Sequence, residues 1–73
     1  MIERRLKAKC IEKDVGFDEL SQVLGISVST FYRKISNVTF TIKEVRSLAE
    51  HLKLTEDEIL FIFFDKMLHI SNN

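Results

Sequence analysis

Residues 20–35 read Leu20-Ser21-Gln22-Val23-Leu24-Gly25-Ile26-Ser27-Val28-Ser29-Thr30-Phe31-Tyr32-Arg33-Lys34-Ile35. Two short helical patterns meet here at one glycine. The first spans about Phe17 to Leu24, with Leu20, Val23 and Leu24 at the i, i+3, i+4 spacing that predicts a buried face. Gly25 supplies the left-handed conformation that closes a helix without a Cβ penalty. Ile26 follows as an apolar plug, and Ser27 is suited to cap a second helix over roughly Val28 to Ile35. Ser21 is small enough to let the second helix approach the first.

A helix, a short turn with glycine and a second helix form the helix-turn-helix unit, whose second helix commonly enters the DNA major groove. Working outward, helical spacing predicts a first helix over Ile2 to Lys13, with Ile2, Leu6, Cys10 and Ile11 inward and Arg4, Arg5, Lys7, Lys9, Glu12 and Lys13 on the other faces. Asp14-Val15-Gly16 turns into the second. Beyond the motif, Ser36-Asn37-Val38-Thr39 reads as a polar loop. Thr41-Ile42-Lys43-Glu44 has capping-box spacing and opens a helix to about Leu52 that buries Val45, Leu48, Ala49 and Leu52. Thr55-Glu56-Asp57-Glu58 is a second capping box and opens a fifth helix. Behind it Ile59-Leu60-Phe61-Ile62-Phe63-Phe64 runs six apolar residues together. The expected architecture is all-α, five helices in one domain over 1–73, with the helix-turn-helix at about 17–35 and the apolar C-terminal helix and tail at about 55–70. The core is expected to gather Leu6, Cys10, Leu20, Leu24, Ile26, Phe31, Ile35, Phe40, Val45, Leu48, Leu52 and Ile59.

Composition narrows the function. A 73-residue core rarely supplies more than about 3–5 kcal/mol without help. Hydrophobic residues are 45 %, proline is absent and glycine occurs twice, which suits a helical chain with short connections. The single Cys10 has no internal disulfide partner, so a reducing setting is expected. It is read as a small core hydrophobe, since no base beside it is indicated. The start Met1-Ile2-Glu3-Arg4-Arg5 lacks the apolar run of a signal peptide, and no stretch has the length of a membrane span. His51 has no second ligand at metal spacing. No Cys–His pair, glycine-rich phosphate loop or enclosed carboxylate pair is present, so the sequence predicts no enzyme, no cofactor, no metal and no small-molecule substrate.

Eleven basic and eleven acidic residues balance to zero, which argues against strong nonspecific nucleic-acid binding. The distribution is uneven. Residues 1–40 carry net +2 and residues 41–73 net −2, and residues 26–54 hold five cations (Arg33, Lys34, Lys43, Arg46, Lys53) against Glu44 and Glu50. A modest positive surface therefore surrounds the second motif helix.

The words Glu19-Leu20-Ser21, Leu24-Gly25-Ile26-Ser27, Ser29-Thr30-Phe31, Arg33-Lys34-Ile35 and Phe40-Thr41 resemble the lambda-repressor-like, Cro-type helix-turn-helix regulators, especially small phage-encoded members, over roughly Leu6 to Phe63. The resemblance implies a DNA-binding repressor of the lysis–lysogeny switch, acting as a dimer on double-stranded operator DNA in the cytoplasm of a bacterial host. The chain departs from the family at the second helix: Gly16 stands where Ser or Thr is usual, and Phe17 where a Gln typically anchors a phosphate. Asp18 and Glu19 just after it repel phosphate, though acids in a first turn also serve the helix dipole.

With Phe31 and Ile35 inward, Val28, Ser29, Tyr32 and Arg33 are the expected base-contacting residues. Arg33 suits guanine, Val28 a thymine methyl, Ser29 a base or phosphate, and Tyr32 a phosphate through its hydroxyl. Ser27, Asn37, Thr39, Thr41 and Lys43 are the expected phosphate contacts, with helix capping as the plain alternative for Thr41. Phe61, Phe64, Met67 and Leu68 are expected to form a dimer or partner interface, because a helix apolar all round exceeds what one small core hides. The alternative is that the tail from Asp65 to Ile70 folds back as cover. A competing function is a modulator or antirepressor that docks the motif helix on a partner phage repressor. Neutral charge, Phe17 and Val28 favour that alternative.

Overall fold

A computed structural model describes residues 2–64, in five helices: α1 Ile2–Lys13, α2 Phe17–Leu24, α3 Val28–Asn37, α4 Ile42–Leu52 and α5 Glu56–Phe63. Helices are the only regular elements among the described residues. Each of α3, α4 and α5 opens on a side-chain cap of the expected kind. Ser27 Oγ accepts the Thr30 N–H at 3.1 Å. Thr41 and Thr55 make complete capping boxes with Glu44 and Glu58, each satisfying two amides that a helix start leaves orphaned.

The first four helices close alike. The residue past each end lies in the left-handed region: Asp14 (φ 59°), Gly25 (φ 71°), Val38 (φ 53°) and Lys53 (φ 55°). The next N–H reaches back five residues in a Schellman pattern: Val15 to Cys10, Ile26 to Ser21, Thr39 to Lys34 and Leu54 to Ala49, at 2.9–3.0 Å. For α3 this placement corrects the sequence reading. Ser36 and Asn37 belong to the last turn of the helix instead of a loop, and only Val38 to Thr41 connects α3 to α4.

α2 packs chiefly on α4 and α3, while α1 spans α5, α3 and α4. The core they enclose holds Leu6, Cys10, Phe17, Leu20, Phe31, Ile35, Val45, Leu48, Leu52, Ile62 and Phe63. Leu24, Ile26, Phe40 and Ile59 pack against it half-buried. Val23 is exposed, and Phe17 and Ser21 take inward places on α2. The inner face of α2 is thus 17, 20, 21, 24. Ser21 is buried at no polar cost because its hydroxyl donates to the Phe17 carbonyl at 2.7 Å. Ile11 is likewise outward, 75 % exposed, since Cys10 already fills the inner place on that turn. Burial pushes the Cys10 thiol up to about 11, with the charge of Glu19 adding to the shift.

Candidate nucleic-acid interface

The outer side of α3 is fixed by what its inner side does. Phe31 is fully enclosed and Ile35 nearly so, which turns Val28, Ser29, Tyr32 and Arg33 outward. Ser36, one turn past Tyr32 and Arg33, is exposed on the same stripe. Sequence reasoning assigned it to a loop; continuing the i, i+4 spacing from Tyr32 finds it. Val28 and Tyr32 keep 42 % and 40 % exposure, so two apolar surfaces sit among polar ones.

Tyr32 is braced from below. Its ring packs edge-on against Phe17 at 5.4 Å. Phe17 packs on Phe31 at 5.1 Å, Phe31 on Phe40 at 5.7 Å and Phe40 on Phe63 at 6.0 Å. Such edge-to-face pairs contribute about 0.5–1.5 kcal/mol each beyond area burial. The chain of rings links the outer face of α3 to α5. Phe17 therefore has a role that its place in the motif did not reveal: it holds an aromatic of the outer face.

The start of α2 lacks a side-chain cap, because Gly16 has no side chain to offer. A Cβ there would collide with a carboxylate oxygen of Asp18. Glu19 turns away to meet His51 of α4, with 2.6 Å between Oε2 and Nε2, so the histidine read as a surface residue ties α4 to α2. At the start of α3 the Ser27 hydroxyl is occupied by capping and by contacts to Thr30 Oγ1 at 2.9 Å and Ser29 Oγ at 3.2 Å. The amides of Val28 and Ser29, in the first turn, have no intrahelical acceptor.

Beyond α3, Thr39 is exposed and Phe40 half-buried, so the ring fastens the connection to the core. Thr41 Oγ1 accepts the Glu44 N–H at 3.0 Å, and Glu44 accepts the Thr41 N–H at 2.9 Å. Lys34 bridges to the other oxygen of Glu44 at 3.3 Å. Burial works to raise the Glu44 carboxyl, but the Thr41 amide and Lys34 together hold it below the usual carboxylate range. Lys34 is thus partly neutralised. Arg33 and Lys43 are exposed and enter none of the ion pairs among the described residues. Asn37, Thr39 and Lys43 lie at the C-terminal end of α3 and the start of α4, while Ser27 lies at the opposite end of α3.

On α5, Leu60 and Phe61 face outward. Phe61 is 54 % exposed, with the Arg5 guanidinium 4.1 Å from its ring centroid. Arg5 also donates to the Phe61 carbonyl at 2.9 Å. Phe64 is half-buried beside a groove of about 450 Å³ shared with Ile42, Leu54 and Ile59. Met67 and Leu68 lie outside the described residues. Lys9 of α1 donates to Glu58 at 2.5 Å and to Glu12 at 3.2 Å, joining α1 to the cap of α5. Among the described residues no group of His, Cys, Asp and Glu could hold a metal ion, and no described helix is long and apolar enough to cross a membrane.

An all-α unit whose glycine-linked helix pair presents the outer face of its second helix defines a helix-turn-helix domain. The chain belongs to the Cro/C1-type HTH DNA-binding domain family, which matches residues 5–65. No curated protein and no solved structure matches it.

Proposed function

We propose that this protein is a phage- or prophage-type transcriptional regulator that binds operator DNA as a dimer, with α3 in the major groove. The observation that carries the reading is the braced outer stripe of α3, where Ser29 and Arg33 are exposed alongside Val28 and a Tyr32 held by Phe17. Arg33 donates to guanine, Val28 meets a thymine methyl, and Ser29 and Tyr32 complete the contact. Asn37, Thr39, Thr41 and Lys43 hold one phosphate strand, and Ser27 with the first-turn amides of α3 holds another. Because the Thr41 amide is committed to Glu44, its contribution to phosphate is the hydroxyl proton. Leu60, Phe61 and Phe64 supply the apolar contact between two copies. The setting is the cytoplasm of a bacterial cell, and no catalytic step is assigned.

The test is selection of a binding site from a random duplex pool, followed by titration of that site across salt. With zero net charge a shallow salt slope is expected. Arg33→Ala should cost about 1–3 kcal/mol on the selected site and relax preference at one base pair. Lys43→Ala should weaken all sequences alike and remove about one counterion from the slope. A pool that yields no enriched sequence at low salt ends the operator reading.

A second reading rests on the exposure of Val28 and Tyr32: the same face docks on a partner phage repressor and modulates it. Desolvated apolar and aromatic groups dominate such contacts. A repressor complex lost on substituting Val28 and Tyr32, with no specific DNA binding by the parent chain, would favour this reading over the first.

A further inference from the structure

An apolar groove of about 450 Å³ runs between α4 and α5 and belongs neither to the α3 stripe nor to the outward pair Leu60 and Phe61. Its lining includes Ile42, Val45, Ala49, Leu54, Ile59 and Phe64. Val45 and Ala49 form a buried floor, and Leu54, Ile59 and Phe64 are half-buried walls packed against the core. Ile42 stands 71 % exposed as the first residue of α4, a place where the capping box calls for no apolar group. Apolar surface collected in this way marks a contact.

The path of the chain points to what makes that contact. α5 stops at the groove: Phe64 leaves the helical region at φ −124° and ψ 9°, while its N–H still reaches the Leu60 carbonyl at 3.0 Å. The next six residues are Asp65-Lys66-Met67-Leu68-His69-Ile70, with three apolar side chains in the last four positions. Six extended residues reach about 20 Å, and α4 rises about 15 Å from Ile42 to Leu52. The segment is therefore long enough to run the groove from Phe64 to Ile42. Its charges fit as well. It carries one acid and one lysine, and the groove is rimmed by Arg46 and Lys53 beside Glu50, so each sign has an opposite to meet. The groove on the other side of Phe63 has Arg4, Arg5 and Lys7 against Glu3, a positive excess that this segment does not match. A partner from solution loses its translational freedom on binding. A segment tethered one residue from the mouth is held there at an effective concentration on the order of millimolar.

We infer that residues 65–70 bind in the α4–α5 groove of their own chain, with Met67, Leu68 and Ile70 against its apolar lining and Ile42 covered at the far end. The inference does not rest on the operator reading, because no DNA takes part. It divides the apolar surface of α5 between two tasks. Phe64 serves the segment, which narrows the contact between copies proposed above to Leu60 and Phe61.

The test is disulfide trapping in the full chain under mild oxidation, read by mass at two protein concentrations. His69→Cys leaves the three apolar anchors in place. It is paired with Arg46→Cys on the rim of this groove, or with Val38→Cys beside the other. Both reporter positions are exposed, so the fold tolerates the change, and circular dichroism verifies it. Cys10 is buried with its proton held up and stays out of the reaction. The Arg46→Cys pair should close within one chain about ten-fold faster than the Val38→Cys pair. Adding Met67→Ser and Leu68→Ser should remove that preference. Equal rates for the two pairs, or a faster Val38→Cys pair, overturn the inference. So does a bond that joins two chains at a rate that rises with concentration, since the groove then belongs to a second copy. A preference that survives Met67→Ser and Leu68→Ser overturns it too, because apolar contact is then not what holds the segment.

Discussion

α3 and α5 both begin on a hydroxyl cap, yet they spend their apolar residues differently. In α3 two large groups, Phe31 and Ile35, go inward and a mainly polar face is left outside. In α5 the sequence Glu-Asp-Glu-Ile-Leu-Phe-Ile-Phe has apolar groups on every side. Ile62 and Phe63 finish the core, and Leu60 and Phe61 remain outward. An amphipathic helix has one docking solution, and its free face is chosen by elimination. A helix apolar all round completes the core with part of its surface and leaves the remainder in need of cover. Under the proposed function the comparison matches a polar target to α3 and an apolar one to α5.

The sharpest way to break it is at the inner face of α3. Phe31→Ala should cost about 3–5 kcal/mol, as much as a domain this size has, so cooperative thermal unfolding by circular dichroism should disappear. A folded Phe31→Ala protein with an unchanged melting point would show that α3 is not held through this ring. The outer face of α5 should behave in the opposite way. Phe61→Ser is expected to leave the monomer fold within about 1 kcal/mol, since the ring loses mainly its cation–π partner. It should weaken self-association by about 2 kcal/mol if Phe61 is a central interface group. Sedimentation at micromolar concentration distinguishes the two, and a parent chain that is monomeric throughout removes the apolar target assigned to α5.

The two capping boxes sharpen the comparison further. Thr41→Ala and Thr55→Ala each should cost about 1 kcal/mol of stability, with matching shifts in denaturant midpoint. Only Thr41→Ala should also weaken DNA binding; equal effects of the two on DNA would reduce Thr41 to a cap. The smallest expected effect is on pH. Hydrogen bonding from Lys9, then from the Thr55 amide, holds the Glu58 carboxyl down to about 2. Its folded value lies below the ordinary 4.5, so the stability it contributes is fully present above that value and is lost as pH falls toward 2. Lys9 is raised above 10.5, chiefly by Glu58, so its share is present below 10.5 and lost in stronger base. Glu58→Gln should flatten the acid limb of the stability profile, and an unchanged limb would show the pair to be idle.

The capping boxes, Gly25 and the inward pair Phe31 and Ile35 were all legible in the sequence, because hydroxyl caps and 3.6-residue spacing are local signals. The inner face of α2 was less so. Leu20 and Leu24 fit two apolar stripes, one through Val23 and one through Phe17 and Ser21, and only the position of α4 chooses between them. A serine enclosed in a core also carries no apolar signal; its place depends on a hydrogen bond to Phe17 that exists only once the helix is built. In α5 the continuous apolar run hides its own orientation, since period cannot be read where nothing alternates. At the interface, the outward stripe of α3 could be derived from its inward one, whereas Ser36 was lost by ending the helix early. The bracing of Tyr32 by Phe17 was out of reach because it joins two helices through ring geometry.

Cys10 has a practical consequence. Its thiol is nearly inaccessible and its proton is held well above neutral pH, so a soluble disulfide reagent can attack it only when α1 lifts from the rest. The labelling rate under native conditions therefore counts opening events at the centre of the molecule. Operator DNA that binds only the closed form should slow that reaction in proportion to occupancy, giving a readout of binding that needs no added probe on the reading face.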